Sequence, residues 1–156
     1  MHLLFVCTGN TCRSPMAEAI GRELAAARAI GDLVISSAGT SAWDGAPASD
    51  GALLVSMEEG LDINTHRSRV LTREMIEGAD LILVMGPHHL ERVAALGGST
   101  KAHLLSHYAS KGAASTPVGD PFGGDLDAYR TTFDELRTAI DQVLERVATE
   151  RGAKDG

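Results

Sequence analysis

Two short runs that are apolar throughout, Leu3–Val6 and Leu81–Met85, constrain the fold of this chain more than any other feature. A strand with one face in water alternates apolar and polar residues, whereas a run with no polar position must be covered on both faces. Between them lie longer segments of helical period. A helix is expected after the first run, capped by Ser14, with Pro15 at its first position and Ala17, Ile20, Leu24 and Ala27 inward. Leu33–Ser36 reads as a second strand. Ser49–Glu59 reads as a helix facing inward through Leu53, Leu54 and Met57, and Thr72 caps a short helix ending at Gly78. Pro87–Leu96 continues as helix, Ala102–Leu105 as a weak strand, and Ser106–Gly124 as a long Gly-, Ser-, Ala- and Pro-rich loop. Tyr129, Phe133, Leu136, Ile140, Val143 and Val147 mark one face of a final helix, and Gly152–Gly156 is expected to fray. Strands alternating with helices predict an α/β fold, an open parallel sheet with helices on both faces.

The 156 residues suit one domain, residues 1–156 with a tail at 151–156. No apolar run approaches the ~18 residues of a membrane span, and Leu3–Val6 is too short for a secretory signal. Fourteen Lys and Arg against 21 Asp and Glu give a net charge of −7, which argues against nucleic acid as a partner. Two cysteines, Cys7 and Cys12, make no disulfide framework; a reducing cytoplasm and a reactive thiol are expected instead.

In open parallel sheets ligands sit beyond the carboxyl ends of the strands. There the first strand runs into Cys7-Thr8-Gly9-Asn10-Thr11-Cys12-Arg13-Ser14. Gly9 and Asn10 tolerate positive φ, so the backbone can curl and aim its N–H groups inward. The following helix adds the positive end of its dipole, and Arg13 adds a planar fork suited to two phosphate oxygens. The segment is thus expected to form an oxyanion cradle with a sulfur at its floor. Such a field should favour the Cys7 thiolate, lowering its pKa from ~8.5 toward ~3.5–7.5. No Gly-Lys-Ser/Thr closes the loop, so it is no nucleotide-binding P-loop. His88-His89 and the pair His103/His107 have no nearby Cys or carboxylate to complete a metal site, and read as solvated or core-satisfied.

At these residues the sequence resembles the low-molecular-weight protein tyrosine phosphatase family. The resemblance runs from Leu3 to Val147 and includes Ser37-Ala38-Gly39, His66 with Ser68-Arg69, Ala79–Met85 and Asp120-Pro121. It implies a four-stranded parallel sheet with the phosphate-binding loop after the first strand. It also implies Cys7 as nucleophile, Arg13 as phosphate clamp and Asp120 as general acid. Thr8 to Cys12 would embrace the phosphoryl group, while Asn10, Ser14, Ser37 and His66 would form a supporting hydrogen-bond network. Phosphorylated proteins would be the substrates, and neither metal nor organic cofactor is implied.

Thr11 stands where tyrosine-specific members commonly carry isoleucine, and Asp120 is followed by Pro121-Phe122-Gly123-Gly124 rather than by tyrosines. Both features resemble the bacterial protein arginine phosphatase branch. A Thr11 hydroxyl can hydrogen-bond the N–H groups of a phosphoarginine guanidinium, where isoleucine offers only methyl groups; Phe122 could form a wall. Cys12 is either a small buried residue or a partner that traps oxidised Cys7 as a disulfide. The alternative activities are phosphotyrosine hydrolysis, thioredoxin-coupled arsenate reduction, for which further cysteines are lacking, and a non-catalytic anion-binding or redox-sensing module.

Overall fold

The computed structural model describes residues 1–155. Its elements are β1 (His2–Cys7), α1 (Arg13–Ala27), β2 (Val34–Gly39), α2 (Asp50–Glu58), α3 (Arg73–Gly78), β3 (Leu81–Val84), α4 (Pro87–Ala95), β4 (Ala102–Leu104), α5 (Leu105–Ala109) and α6 (Leu126–Asp155). The four strands form one sheet in the order β2-β1-β3-β4, with every pair parallel.

The apolar run of β1 divides by parity between two cores, as successive strand side chains must. Leu3, Phe5 and Cys7 enter one core with Leu83 and Met85 of the β3 segment, under α1, α2, α5 and α6. Leu4 and Val6 enter the other with Ile82 and Val84, under α3 and α4. Because β1 is central, its carboxyl end at Cys7 emerges between Gly39 of β2 and the segment after Val84 of β3. All six expected inward positions of the last helix, from Tyr129 to Val147, are buried against the first core.

Several details differ from the sequence expectation. Ser14 does not cap α1: the helix begins at Arg13, its N-cap is Cys12 without a side-chain cap bond, and the Ser14 hydroxyl is engaged elsewhere. Pro15 is consequently the third helical residue. Ala27 is exposed, and Met16, Gly21 and Ala25 join Ala17 and Ile20 on the buried face. In α2 the inward residues are Ala52, Val55 and Ser56, whereas Leu54 and Met57 are exposed. The helix approaches α6 so closely that a Cβ on Gly51 would lie 2.4 Å from the Tyr129 ring, which leaves space only for small side chains. The long loop opens with α5, and α6 continues through the expected tail to Asp155; Gly156 lies outside the described residues. Among the described residues no helix is long and apolar enough to cross a membrane.

One glycine joins the sheet to the loop after β1. A Cβ on Gly39 would stand 2.4 Å from the Thr8 carbonyl oxygen and 2.9 Å from the Asn10 nitrogen, both backbone atoms. Backbone cannot swing aside as a side chain can, so Gly39→Ala should cost about 1–3 kcal/mol in urea unfolding. Gly78→Ala, where the added Cβ meets nothing within 4 Å, should change stability little. Equal unfolding midpoints for the two variants would contradict this packing.

Candidate active site

The loop from Cys7 to Ser14 turns its carbonyls outward. The Cys7 and Thr8 oxygens accept from the Thr40 and Ser41 amides at 2.9 and 3.0 Å, and the Thr11 oxygen accepts from Ser49 at 2.8 Å. The Asn10 oxygen accepts from His66 Nε2 at 2.7 Å. In a trans peptide the carbonyl and the next N–H point in opposite directions, and no peptide here is cis. The amides of Thr8, Gly9, Thr11 and Cys12 are therefore aimed into the loop, and the Ser14 and Asn10 amides reach the Cys7 sulfur. This is an oxyanion cradle with a thiol at its floor, as expected.

Asn10 adopts the left-handed conformation that makes the curl, with φ of 56°, while Gly9 does not use its freedom. Four hydrogen bonds hold the fully buried Asn10 there. Its Nδ2 donates to Ser14 Oγ at 2.7 Å and to Ser37 Oγ at 3.0 Å. Its Oδ1 accepts from the Arg69 amide at 3.0 Å, and its carbonyl takes the His66 bond. Ser37 passes its hydrogen to Glu18 Oε1 at 3.2 Å, and Ser14 Oγ lies 2.9 Å from Cys7 Sγ. Asn10, Ser14, Ser37 and His66 thus form one connected network behind the sulfur.

Burial pushes the Cys7 thiol up and outweighs the opposing pull of the Ser14 hydroxyl, the Ser14 N–H, the Arg13 charge and the Asn10 N–H. The net direction corrects the expected fall. The expectation weighed the donors of the cradle but not the near-complete removal of the sulfur from water, at 2% exposure for the residue. Every donor named favours the thiolate, so each determines how much of the burial cost is recovered.

A cleft of about 260 Å³ opens above the sulfur. Cys7, Thr8, Gly9, Thr11, Cys12 and Arg13 form its base, and Asp120 and Phe122 part of its wall. Buried Arg13 joins the two: Nη1 donates to the Val118 carbonyl at 3.0 Å, and Nη2 lies 3.7 Å from Asp120 Oδ2. Val118 is itself tied to the end of the β3 segment through Met85 O at 2.9 Å. Asp120 is half exposed, and its Oδ1 accepts the Phe122 amide at 3.0 Å, which turns the carboxylate over the cradle. Cys12 Sγ contacts Ser49 Oγ at 3.2 Å and Tyr129 Oη at 3.5 Å. Cys7 and Cys12 are both free thiols.

Two features were not foreseen. Trp43, 85% exposed, lines the same cleft as Phe122, at 72%. Its backbone is held by the buried Ser68 hydroxyl, which donates to the Trp43 carbonyl and accepts the Ala46 amide at 3.0 Å. The chain's single tryptophan, set in the segment Ser41-Ala42-Trp43-Asp44-Gly45, is the signal that could have marked it. The second is His89, fully buried and core-satisfied as expected, yet bonded through Nε2 to Thr8 Oγ1 at 2.8 Å. It lies at the start of the helix after β3, the strand beside β1, a place that faces the cradle. Among the described residues no cluster of three or more His, Cys, Asp or Glu side chains is placed to hold a metal ion.

This fold and cradle define a cysteine-based phosphatase. The family model described as low molecular weight phosphotyrosine protein phosphatase matches residues 2–153, and the chain belongs to that family. It is 37% identical over 153 residues to the protein-arginine-phosphatase of Bacillus subtilis, covering 97% of this chain and 99% of that one. It is also 37% identical over 137 residues to the low molecular weight protein-tyrosine-phosphatase PtpB of Staphylococcus haemolyticus, covering 87% and 92% of the two chains. A solved structure of the YwlE arginine phosphatase, a C7S mutant with a phosphorylated active-site serine, superposes with a TM-score of 0.90 at 37% identity, over 97% of this chain and 98% of that one.

The opposed influences on Cys7 give a signed prediction. Ser14→Ala removes a donor to the thiolate, so the midpoint of the pH-dependent alkylation of Cys7 by iodoacetamide should move up. A midpoint that stays or falls would remove Ser14 from the sulfur's electrostatics.

Proposed function

We propose that this chain hydrolyses phosphoarginine in proteins through a phosphocysteine at Cys7. The cradle binds the phosphoryl oxygens, with Arg13 clamping two of them. The Cys7 thiolate attacks phosphorus as the bond to the guanidino nitrogen breaks, and the Asp120 carboxylic acid gives that nitrogen its proton. The aspartate then takes a proton from water, whose oxygen attacks the phosphocysteine and releases phosphate and the thiolate. The phosphorylated serine of the YwlE mutant supports phosphoryl transfer to this loop position.

The substrate reading is carried by Thr11, which lines the same cleft as Cys7 and Asp120. Its hydroxyl supplies a polar partner to the guanidinium N–H groups beside phosphorus, and a site built to hydrogen-bond its substrate rejects one that cannot reciprocate. The identity of the B. subtilis relative over nearly the full length of both chains supports the same reading. Trp43 and Phe122 offer aromatic faces to the substrate's alkyl stem and cationic head. A reducing cytoplasm suits the two free thiols. Cys12 takes a protective role in this reading: a Cys7 sulfenate formed by a peroxide condenses with the Cys12 thiol, losing water and leaving a reducible disulfide.

Matched phosphoarginine and phosphotyrosine peptides test the substrate. kcat/KM should favour phosphoarginine, and Thr11→Ile should reduce that preference. A preference for phosphotyrosine would return the chain to the tyrosine-specific reading, and turnover of neither would leave an anion-binding module. Asp120→Asn should lower kcat by ~10²–10⁴. An unchanged kcat in a variant whose chemical step is rate-limiting would place the acid elsewhere.

A further inference from the structure

His89 is held at both ring nitrogens. Nδ1 accepts the Gly86 amide at 3.0 Å, so it carries no hydrogen, and the ring proton of the neutral imidazole must sit on Nε2. Nε2 therefore donates to Thr8 Oγ1 at 2.8 Å. Thr8 Oγ1 also accepts from Arg13 Nη2 at 3.4 Å. A hydroxyl oxygen has two lone pairs, and both are taken. Its single hydrogen is left to point elsewhere, and Thr8 borders the cleft above Cys7.

Resting on the phosphatase reading above, we propose that His89 is a positioning residue: by donating to Thr8 it turns the Thr8 hydroxyl into a donor for a phosphoryl oxygen. Thr8 then adds a side-chain hydrogen bond to the ring of backbone amides, beside the Arg13 guanidinium that shares its oxygen. The imidazole is suited to a fixed role. Burial, with the nearby His88 and Arg13 charges, pushes it down to about 4, so it stays neutral at ordinary pH and keeps Nδ1 free to accept. The Gly86 bond lies at the start of α4, so the helix that follows β3 sets the direction in which the ring addresses the cradle.

The two ring nitrogens can be separated by substitution. His89→Asn keeps an acceptor near Nδ1 for the Gly86 amide and loses the donor to Thr8. His89→Gln places an N–H near Nε2 and loses the acceptor at Gly86. With inorganic phosphate as the probe, its Kd should rise about ten- to a hundredfold in His89→Asn and in Thr8→Val, the worth of one hydrogen bond to a charged group. His89→Gln should recover most of that affinity while showing the larger fall in Tm. The double variant His89→Asn/Thr8→Val should bind no more weakly than Thr8→Val alone. Unchanged affinity in His89→Asn, losses that follow Tm in both His89 variants, or additive losses in the double variant would each overturn the proposal. Turnover of p-nitrophenyl phosphate by the unmodified protein tests the phosphatase reading separately, because phosphate affinity is read without turnover.

Discussion

The buried side chain of Asn10 is the interaction on which the site depends. A non-glycine residue at positive φ persists only where its surroundings over-determine it. Here one amide group joins the loop to β2 through Ser37, to the start of α1 through Ser14, and to the 66–69 segment through Arg69. The curl it fixes turns the loop amides inward and brings Ser14 against the sulfur. The inward-facing amides, the hydroxyl donor to the sulfur and the start of α1 therefore share one cause.

The cost of this design falls on Cys7. Burial beside Phe5 and Leu83 in the larger core opposes ionisation, and the donors around the sulfur recover only part of that cost. Arg13 connects the cradle to Asp120. Its guanidinium is anchored by the Val118 carbonyl, and Val118 by the end of the β3 segment, so the loop bearing Asp120 is registered against the sheet as well as against the cradle. A half-exposed carboxylate 3.7 Å from a buried guanidinium is held loosely, which suits the proton exchange with substrate and then water proposed for Asp120.

Residues whose role is fixed by local chain geometry were legible in the sequence. The fully apolar β1 and β3, the 3.6-residue period of α6 and the Cys7–Ser14 spacing each carry their meaning within a few positions. What escaped depends on contacts distant in sequence. Ser14 looked like a cap because the chain alone does not reveal that its hydroxyl accepts from Asn10 and donates to Cys7. Leu54 and Met57 looked inward because periodicity cannot see how closely Tyr129 rests on Gly51. His89 and Trp43 join the site only through the strand order and the 43–46 to Ser68 tether. The net effect on Cys7 was misjudged because donors are visible in a sequence and desolvation is not.

The central claim is that the phosphoryl group passes through Cys7, and locating that group during turnover tests it most directly. A single turnover quenched under conditions that preserve thiophosphate esters, followed by mass spectrometry of the N-terminal peptide, should find the phosphoryl adduct on Cys7 and none in Cys7→Ala. Phosphate release by Cys7→Ala at the unmodified rate, or an adduct on any other residue, would contradict the account.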